Sequence, residues 1–313
     1  KQVVSLAQFC TRIQVPYRVY AFTSQYSDKH SHEDYESYIA KRNKLHAHIR
    51  AKAEQGGKFL QLEGNFNLLE LFSDKMTTSE FQSMAKRTID YRFQWNKGYS
   101  TGGTPLNEAM AWVYLNIGDF IKNNNIEKTT FITLTDGEGA SLHSVNRNVD
   151  LDETRSDSTG GVYKRIKQRH FIRDEVTQKT YEIRRDSTTQ AEAILRMIKD
   201  RYNVSTVGFY ICRNHRRDLH SVIRANIPDY NGSQDLLIDS WRKAFRTDAF
   251  ASVKNTGRDE LFLIPQTSTK IVEGDLEVDS SAKAASIAKN FGKYLNTKKT
   301  SRVLLNRFVA LVA

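Results

Sequence analysis

The sequence is poor in cysteine, with two in 313 residues, Cys10 and Cys212. Each lies in an apolar segment, so we expect buried free thiols of a reduced protein rather than a disulfide or a metal pair. No apolar run has the length of a membrane span, and the first residues lack the order of a secretory signal. The sequence therefore predicts a cytoplasmic protein that makes no use of a membrane.

Motifs of autonomous catalysis are also missing. The phosphate-binding pattern Gly-x-x-x-x-Gly-Lys-Ser/Thr does not occur, so any ATP hydrolysis would belong to a partner. No Ser-His-Asp or Cys-His pairing can be located by motif. These absences favour a binding protein over an enzyme that acts by itself.

Positive charge is in excess, with 47 lysines and arginines against 36 acidic residues and a net charge of +11. Residues 161–186 read as a β-hairpin insertion, and Lys164, Arg165, Lys167 and Arg169 are its basic binding candidates. A basic surface of this kind attracts nucleic acid, an acidic protein or a second copy of the chain. Solvated charged faces explain the same pattern without any partner.

The rest of the chain is arranged around residues 101–140. A polar glycine loop that includes Gly102 and Gly103 leads to Thr104 and Pro105, which predict a helix with Thr104 as its cap. After that helix, the β-branched and aromatic run of residues 129–135 predicts a buried strand. The strand stops at Asp136-Gly137-Glu138, where open α/β sheets place their ligands.

A hydroxyl loop and a strand-end carboxylate joined by one helix can converge on one cation. Thr104 and Asp136 are therefore the candidate metal ligands, with Gly102, Gly103, Gly137 and Glu138 as neighbouring binding residues. Hard oxygen ligands of this kind suit Mg²⁺ or another divalent cation such as Ca²⁺.

The motif pair GGTPLNEAM and FITLTDGEG, about thirty residues apart, resembles the von Willebrand factor A (VWA) domain. In that family three loops build a metal-ion-dependent adhesion site. Thr104 matches the threonine of the second loop, and Asp136 matches the aspartate of the third. Within that family, the sequence most resembles the VWA proteins related to the cobaltochelatase CobT subunit, including those of large tailed phages.

The resemblance implies Mg²⁺ bound at Thr104 and Asp136, and a protein partner that completes its coordination. It also implies partnership with a hexameric AAA+ ATPase of the MoxR or CobS type, in the host cytoplasm if a phage encodes the chain. The family's first loop, Asp-x-Ser-x-Ser, does not occur. Because the chain opens within the expected first helix, we expect the sequence to start after the first strand, with an incomplete metal site.

We therefore predict one doubly wound α/β domain over residues 1–313, Rossmann-like, with a mostly parallel sheet and the hairpin insertion. Its strands are expected around Tyr17–Phe22, Phe131–Thr135, Val204–Ile211 and Leu261–Ile264. The predicted function is a metal-dependent protein-binding module. The alternatives are a nucleic-acid-binding or phage structural protein that uses the basic surface, and a metal-dependent hydrolase with Asp136 and Glu138 at its metal.

Overall fold

The protein is mixed α/β, with a mostly parallel central sheet and flanking helices. A computed structural model describes residues 2–25, 40, 44, 47, 51, 59–61, 66–89, 99–100, 103–145, 170–184, 186–254 and 256–266. In these ranges no helix is long and apolar enough to cross a membrane.

Helices and strands are numbered separately in chain order. The helices are α1 (Gln2–Arg12), α2 (Thr78–Ile89), α3 (Leu106–Asn123), α4 (Ser187–Tyr202), α5 (Arg216–Asn226) and α6 (Gln234–Thr247). The strands are β1 (Arg18–Gln25), β2 (Phe59–Gln61), β3 (Phe66–Ser73), β4 (Tyr99–Ser100), β5 (Thr130–Thr135), β6 (His143–Val145), β7 (His170–Arg173), β8 (Thr180–Ile183), β9 (Ser205–Cys212), β10 (Ala251–Val253) and β11 (Glu260–Pro265).

The central sheet has the order β10-β11-β9-β5. β5, β9 and β11 are parallel, and the short β10 is antiparallel to β11. These three parallel strands confirm the predictions for residues 131–135, 204–211 and 261–264. Near-continuous apolar runs are typical of such strands because helices cover both of their faces.

The fourth predicted strand of that sheet lies elsewhere. Tyr17 lies just before β1 and residues 18–22 lie within it, but β1 pairs with β3 and β4 in a separate antiparallel sheet of order β3-β1-β4. The physical reason is β3, an eight-residue strand that forms a long ladder with β1, interrupted by one irregularity at Val19/Tyr20. Alternation predicts a strand, but it does not select the strand with which it pairs.

Helix α5 and strand β6 were not expected from the sequence. Helix α5 buries Leu219, Val222 and Ile223 in a core that it shares with α6, β9 and β11. β6 lies in a stretch that reads as irregular and pairs with β2. The sequence also predicts helices over residues 280–295 and 300–312, and both stretches lie outside the described residues.

The described part of the predicted hairpin insertion consists of β7, β8 and the turn between them. Tyr181 and Ile183 of β8 pack against Ala193 and Met197 of α4. This part therefore lies on a helix rather than standing free of the domain. Residues 161–169 of the insertion lie outside the described residues.

Candidate functional site

Thr104 and the loop after Asp136 lie side by side at the carboxyl end of β5. The Thr104 carbonyl accepts hydrogen bonds from the Leu106 amide at 2.7 Å and from the Ala140 amide at 2.9 Å. A Cβ placed on Gly137 would lie 3.0 Å from the Thr104 hydroxyl oxygen. The fold thus brings together the two loops that carry the predicted metal ligands.

Thr104 does not have the capping role expected from the sequence. Helix α3 begins at Leu106, with Pro105 in the N-cap position at φ −75° and ψ 54°, and no side chain caps it. The backbone of Thr104, not its hydroxyl, makes the hydrogen bonds that fix the start of the helix. No described residue hydrogen-bonds the Thr104 hydroxyl. This hydroxyl is therefore available to bind a ligand on the side of the loop that faces Gly137.

Asp136 is the first residue after β5, and its side chain is exposed. The turn around it is closed locally: the Thr135 hydroxyl donates to the Gly137 carbonyl at 3.0 Å, and the Gly137 amide contacts the same hydroxyl oxygen at 3.2 Å. Because these two hydrogen bonds join Thr135 to Gly137, they fix the backbone position of Asp136 between them. No described residue forms an ion pair or a hydrogen bond with that carboxylate.

Tyr210 of β9 is the register partner of Thr135 and lies next to this turn. The pKa of Tyr210 is raised to about 12, mainly by burial and in smaller part by the nearby carboxylates of Glu138, Asp136 and Asp218. These three carboxylates lie close enough to Tyr210 to affect its ionisation, so this edge of the sheet carries negative charge. Such an edge attracts cations.

The donors suit a hard cation, but they are few. Thr104 offers a neutral hydroxyl and Asp136 one carboxylate, the oxygen ligands that Mg²⁺ prefers. The described part of the chain contains no group of three or more His, Cys, Asp or Glu side chains that could hold a metal. The residues present therefore fit part of a magnesium site.

The remaining predicted site residues are distributed unevenly. Gly103 and Glu138 are exposed beside Thr104 and Asp136. Gly102 and the basic group Lys164, Arg165, Lys167 and Arg169 lie outside the described residues. Arg216, at the start of α5, forms ion pairs with Asp235 at 2.8 Å and with Asp239 at 2.6 Å, so its charge is already neutralised within the protein.

Both cysteines are buried and free, as predicted. Burial raises the pKa of each thiol to about 12, with a further contribution from Asp218 at Cys212 and an opposing backbone hydrogen bond at Cys10. Thiols with such pKa values stay protonated at neutral pH and are poor nucleophiles and metal ligands. Neither cysteine belongs to the site.

Sequence reasoning missed the residue that holds the site in place, Gln190 of α4. Its fully buried amide accepts from the Leu142 amide at 2.6 Å and donates to the Arg184 carbonyl at 3.0 Å. Asn107, also fully buried at the start of α3, donates to the Ser187 carbonyl at 3.0 Å. These amides tie the end of the Asp136 loop, the start of α3 and the start of α4 together. The sequence signal that could have identified Gln190 is a polar residue on the otherwise apolar face of α4.

Comparison with known proteins found no match of the chain to a family model, to a curated protein or to a solved structure.

Proposed function

We propose that the edge formed by Thr104 and Asp136 is a divalent-cation-dependent protein-binding site of the VWA type. The carrying observation is the hydrogen bond between the Ala140 amide and the Thr104 carbonyl, which joins the two loops. The exposed carboxylate of Asp136 and the hydroxyl of the half-buried Thr104, which no described residue hydrogen-bonds, support the proposal, because both are oxygen ligands of the kind that Mg²⁺ prefers.

In this proposal each residue has a separate task. Asp136 supplies the negative charge that holds the cation, and Thr104 contributes a neutral oxygen. Gly137 keeps the face beside the Thr104 hydroxyl clear, since a side chain there would crowd it. A bound divalent cation would supply the positive charge that attracts an acidic group of a partner protein. The exposed residues Gly103 and Glu138 lie at the rim that such a partner would touch.

The metal part is tested with Mn²⁺ as a paramagnetic probe, read by amide NMR line broadening. Broadening is expected at Thr104, Gly137 and Glu138 in the wild-type chain and is expected to disappear in Asp136→Asn. Asp119→Asn is the matched control, because Asp119 is an exposed acid near the other end of α3. Broadening that persists in Asp136→Asn, or that centres on other residues, would place the cation elsewhere.

Affinity is expected to be low. Mg²⁺ gives up its water reluctantly, and two ligands with one formal charge compete poorly with water. Calorimetric titration of the 313-residue chain is therefore expected to show weak Mg²⁺ binding or none. Tight binding that survives Asp136→Ala would contradict a site at this edge.

The proposed partner is a hexameric AAA+ ATPase of the MoxR or CobS type. Its test is binding of a purified ATPase of that class to the immobilised chain, with Mg²⁺ and with EDTA. Mg²⁺-dependent binding that Asp136→Ala removes is the expected result. Binding of equal strength in EDTA would assign the contact to another surface.

Nucleic-acid binding is the second candidate, favoured by the net charge of +11. The basic residues of the described part of the hairpin are largely engaged: Lys179 contacts Asp200, and Arg184 contacts Glu182. The candidate therefore depends on Lys164, Arg165, Lys167 and Arg169. A salt series separates the two functions, because phosphate contacts give affinity a steep dependence on salt. Changing these four residues to Glu should flatten that dependence.

A further inference from the structure

Asn107 of α3 carries a buried carbonyl oxygen that makes no hydrogen bond. The side chain is fully buried in the first turn of the helix, and its Nδ2 donates to the Ser187 carbonyl at 3.0 Å. Its Oδ1 has no hydrogen-bond partner among the described residues. Because a buried carbonyl without a donor is unfavourable, native structures contain few such groups. The position of this oxygen therefore requires a physical reason.

The neighbours of Asn107 fix which end of its amide is the oxygen. Nδ2 faces the Ser187 carbonyl and, at 3.5 Å, Oε1 of Gln190. That Oε1 is an acceptor, because it also accepts from the Leu142 amide at 2.6 Å. Turning the Asn107 amide over would set its oxygen against two acceptors. Oδ1 therefore points to the opposite side, and its donor has to come from there.

The loop after Asp136 lies on that side of Asn107. A Cβ placed on Gly139 would be 3.2 Å from Asn107 Oδ1, closer than most contacts of a real Cβ. The Gly139 backbone can approach the oxygen because the residue has no side chain. In the described part of the chain, no acceptor hydrogen-bonds the Gly139 amide. A donor without an acceptor thus lies next to an acceptor without a donor.

The peptide group that joins residues 138 and 139 lies between two anchored points. Before it, the Gly137 amide contacts the Thr135 hydroxyl oxygen at 3.2 Å. After it, the Ala140 amide donates to the Thr104 carbonyl at 2.9 Å. Rotation of this single peptide leaves both anchors in place, and the glycine at its far end tolerates φ of either sign.

We propose that this peptide rotates when the edge binds a divalent cation, so that the Gly139 amide donates to Asn107 Oδ1 and the Glu138 carbonyl becomes a further ligand of the cation. The inference rests on the proposed cation site at Asp136. The N–H and C=O of a trans peptide point in opposite directions. With its N–H directed to a buried oxygen, the peptide directs the Glu138 carbonyl outward, on the exposed edge that carries Asp136.

The added oxygen meets the shortage of ligands at this edge. Thr104 supplies a neutral oxygen and Asp136 a charged one, and a backbone carbonyl is a hard oxygen that Ca²⁺ accepts in flexible coordination. Asn107 does not touch the cation in this arrangement. It is a positioning residue that holds the peptide of a ligand, and loss of such a partner typically weakens metal binding by about 10–100-fold.

The test follows the chain by NMR while Ca²⁺ is added. The carbonyl carbon of Glu138 and the amide of Gly139 are expected to shift together with the amide of Gly137, and exchange of the Gly139 amide with solvent should slow about 10-fold or more. A scalar coupling between the Gly139 nitrogen and the Asn107 side-chain carbonyl carbon should appear, because only a hydrogen bond transmits it.

Two variants remove the contact from opposite sides. Asn107→Ala removes the acceptor, and Gly139→Ala places a methyl group where the oxygen must approach. Both are expected to lose the Glu138 response and to bind Ca²⁺ about 10-fold more weakly or worse. Asn116→Ala is the matched control, because this asparagine of α3 bonds within its own helix, to the Trp112 carbonyl at 2.7 Å. It should respond as the wild-type chain does.

The outcomes separate this inference from the cation site itself. Unchanged amide resonances of β9 and β11 show that a variant is folded, and Gly139→Ala decides alone if Asn107→Ala is not. Ca²⁺ shifts at Thr104 and Gly137 that leave Glu138 unchanged would overturn the inference and keep the site. A Glu138 response that survives in a folded variant, or a coupling already present without Ca²⁺, would also overturn it. No Ca²⁺ shift at this edge would overturn both.

Discussion

The parallel sheet and the β7–β8 hairpin are held in place by different forces. In β11 five of six residues are buried, and α5 and α6 cover one face of the sheet with apolar side chains. In β7 no residue is fully buried, and Phe171 is 62% exposed. The parallel sheet buries apolar side chains along β9 and β11, whereas the hairpin buries them only through Tyr181 and Ile183 of β8. An isolated pair of short strands is marginal in water, so the hairpin needs further contacts.

In the hairpin, polar contacts provide stabilisation that the sheet obtains from apolar burial. The buried carboxylate of Asp174 accepts from the Tyr114 hydroxyl of α3 at 2.8 Å and from the Val176 amide at 2.7 Å. The Tyr181 hydroxyl donates to Asp200 of α4 at 2.7 Å. The comparison teaches that a small element can be fixed on a helix by a few directional contacts, which are more sensitive to pH and salt than a core is.

The first prediction tests the apolar side of this comparison. Leu263→Ala empties a fully buried position of β11 and should lower the free energy of unfolding by about 2–5 kcal/mol. Ile172→Ala in the half-buried β7 should cost less than half as much. Urea unfolding followed by circular dichroism measures both. Equal losses would mean that the hairpin also depends on burial.

The second prediction concerns Gln190, which connects the end of β8 to the loop that follows Asp136. Gln190→Ala leaves the Leu142 amide and the Arg184 carbonyl without their partner and should cost about 2–4 kcal/mol. The control is Gln8→Ala on the exposed face of α1, which should have almost no effect. A small loss for Gln190→Ala would show that water replaces its hydrogen bonds.

The strands of the parallel sheet were predictable from sequence because their apolar runs are long and are stopped by turn residues. Helix α5 could also have been found, since Leu219, Val222 and Ile223 have helical spacing between charged residues. The partner of β1 could not, because strand pairing is settled by which edges meet in three dimensions. For the same reason the roles of Asp174 and Gln190 were out of reach: their partners are 60 and 48 residues away.

In the candidate site the order of motifs was enough to bring Thr104 and Asp136 to one edge of the sheet. It was not enough to assign the Thr104 side chain. A threonine before proline predicts a cap, but the backbone at Pro105 turns so that the Thr104 carbonyl makes the hydrogen bonds instead. That difference is decided by one pair of dihedral angles, which sequence patterns do not specify.

The third prediction uses pH to separate the hairpin from the sheet. Burial alone would raise the pKa of Asp174, but hydrogen bonds from Tyr114, Thr177 and Val176 outweigh it and lower the pKa. A carboxyl with a lowered folded-state pKa stabilises the protein above its ordinary pKa of about 3.9, and that contribution is lost as pH falls through the folded value. Asp174→Asn should therefore cost about 1–2 kcal/mol at pH 7 and progressively less below about pH 4.

Hydrogen exchange of the β7 and β8 amides locates that effect. In Asp174→Asn these amides should exchange faster at pH 7, while those of β9 and β11 should change only with global stability. Leu263→Ala is the matched comparison, because it should lower the stability of the whole domain equally at pH 7 and pH 4. An Asp174→Asn loss that does not depend on pH would contradict a role for its charge.

The last prediction has the smallest expected effect. Lys179 contacts Asp200 at 2.7 Å, but the Lys179 side chain is 57% exposed, so solvent and salt screen the pair. Lys179→Met should cost about 0.5 kcal/mol or less at low salt, and less still in 1 M NaCl. Tyr181→Phe removes the other contact of Asp200 and should cost about 1 kcal/mol at either salt concentration, since Tyr181 is buried. Urea unfolding of both variants at the two salt concentrations measures the difference. If Lys179→Met proved the costlier change, the hairpin would be held by surface charge rather than by buried hydrogen bonds.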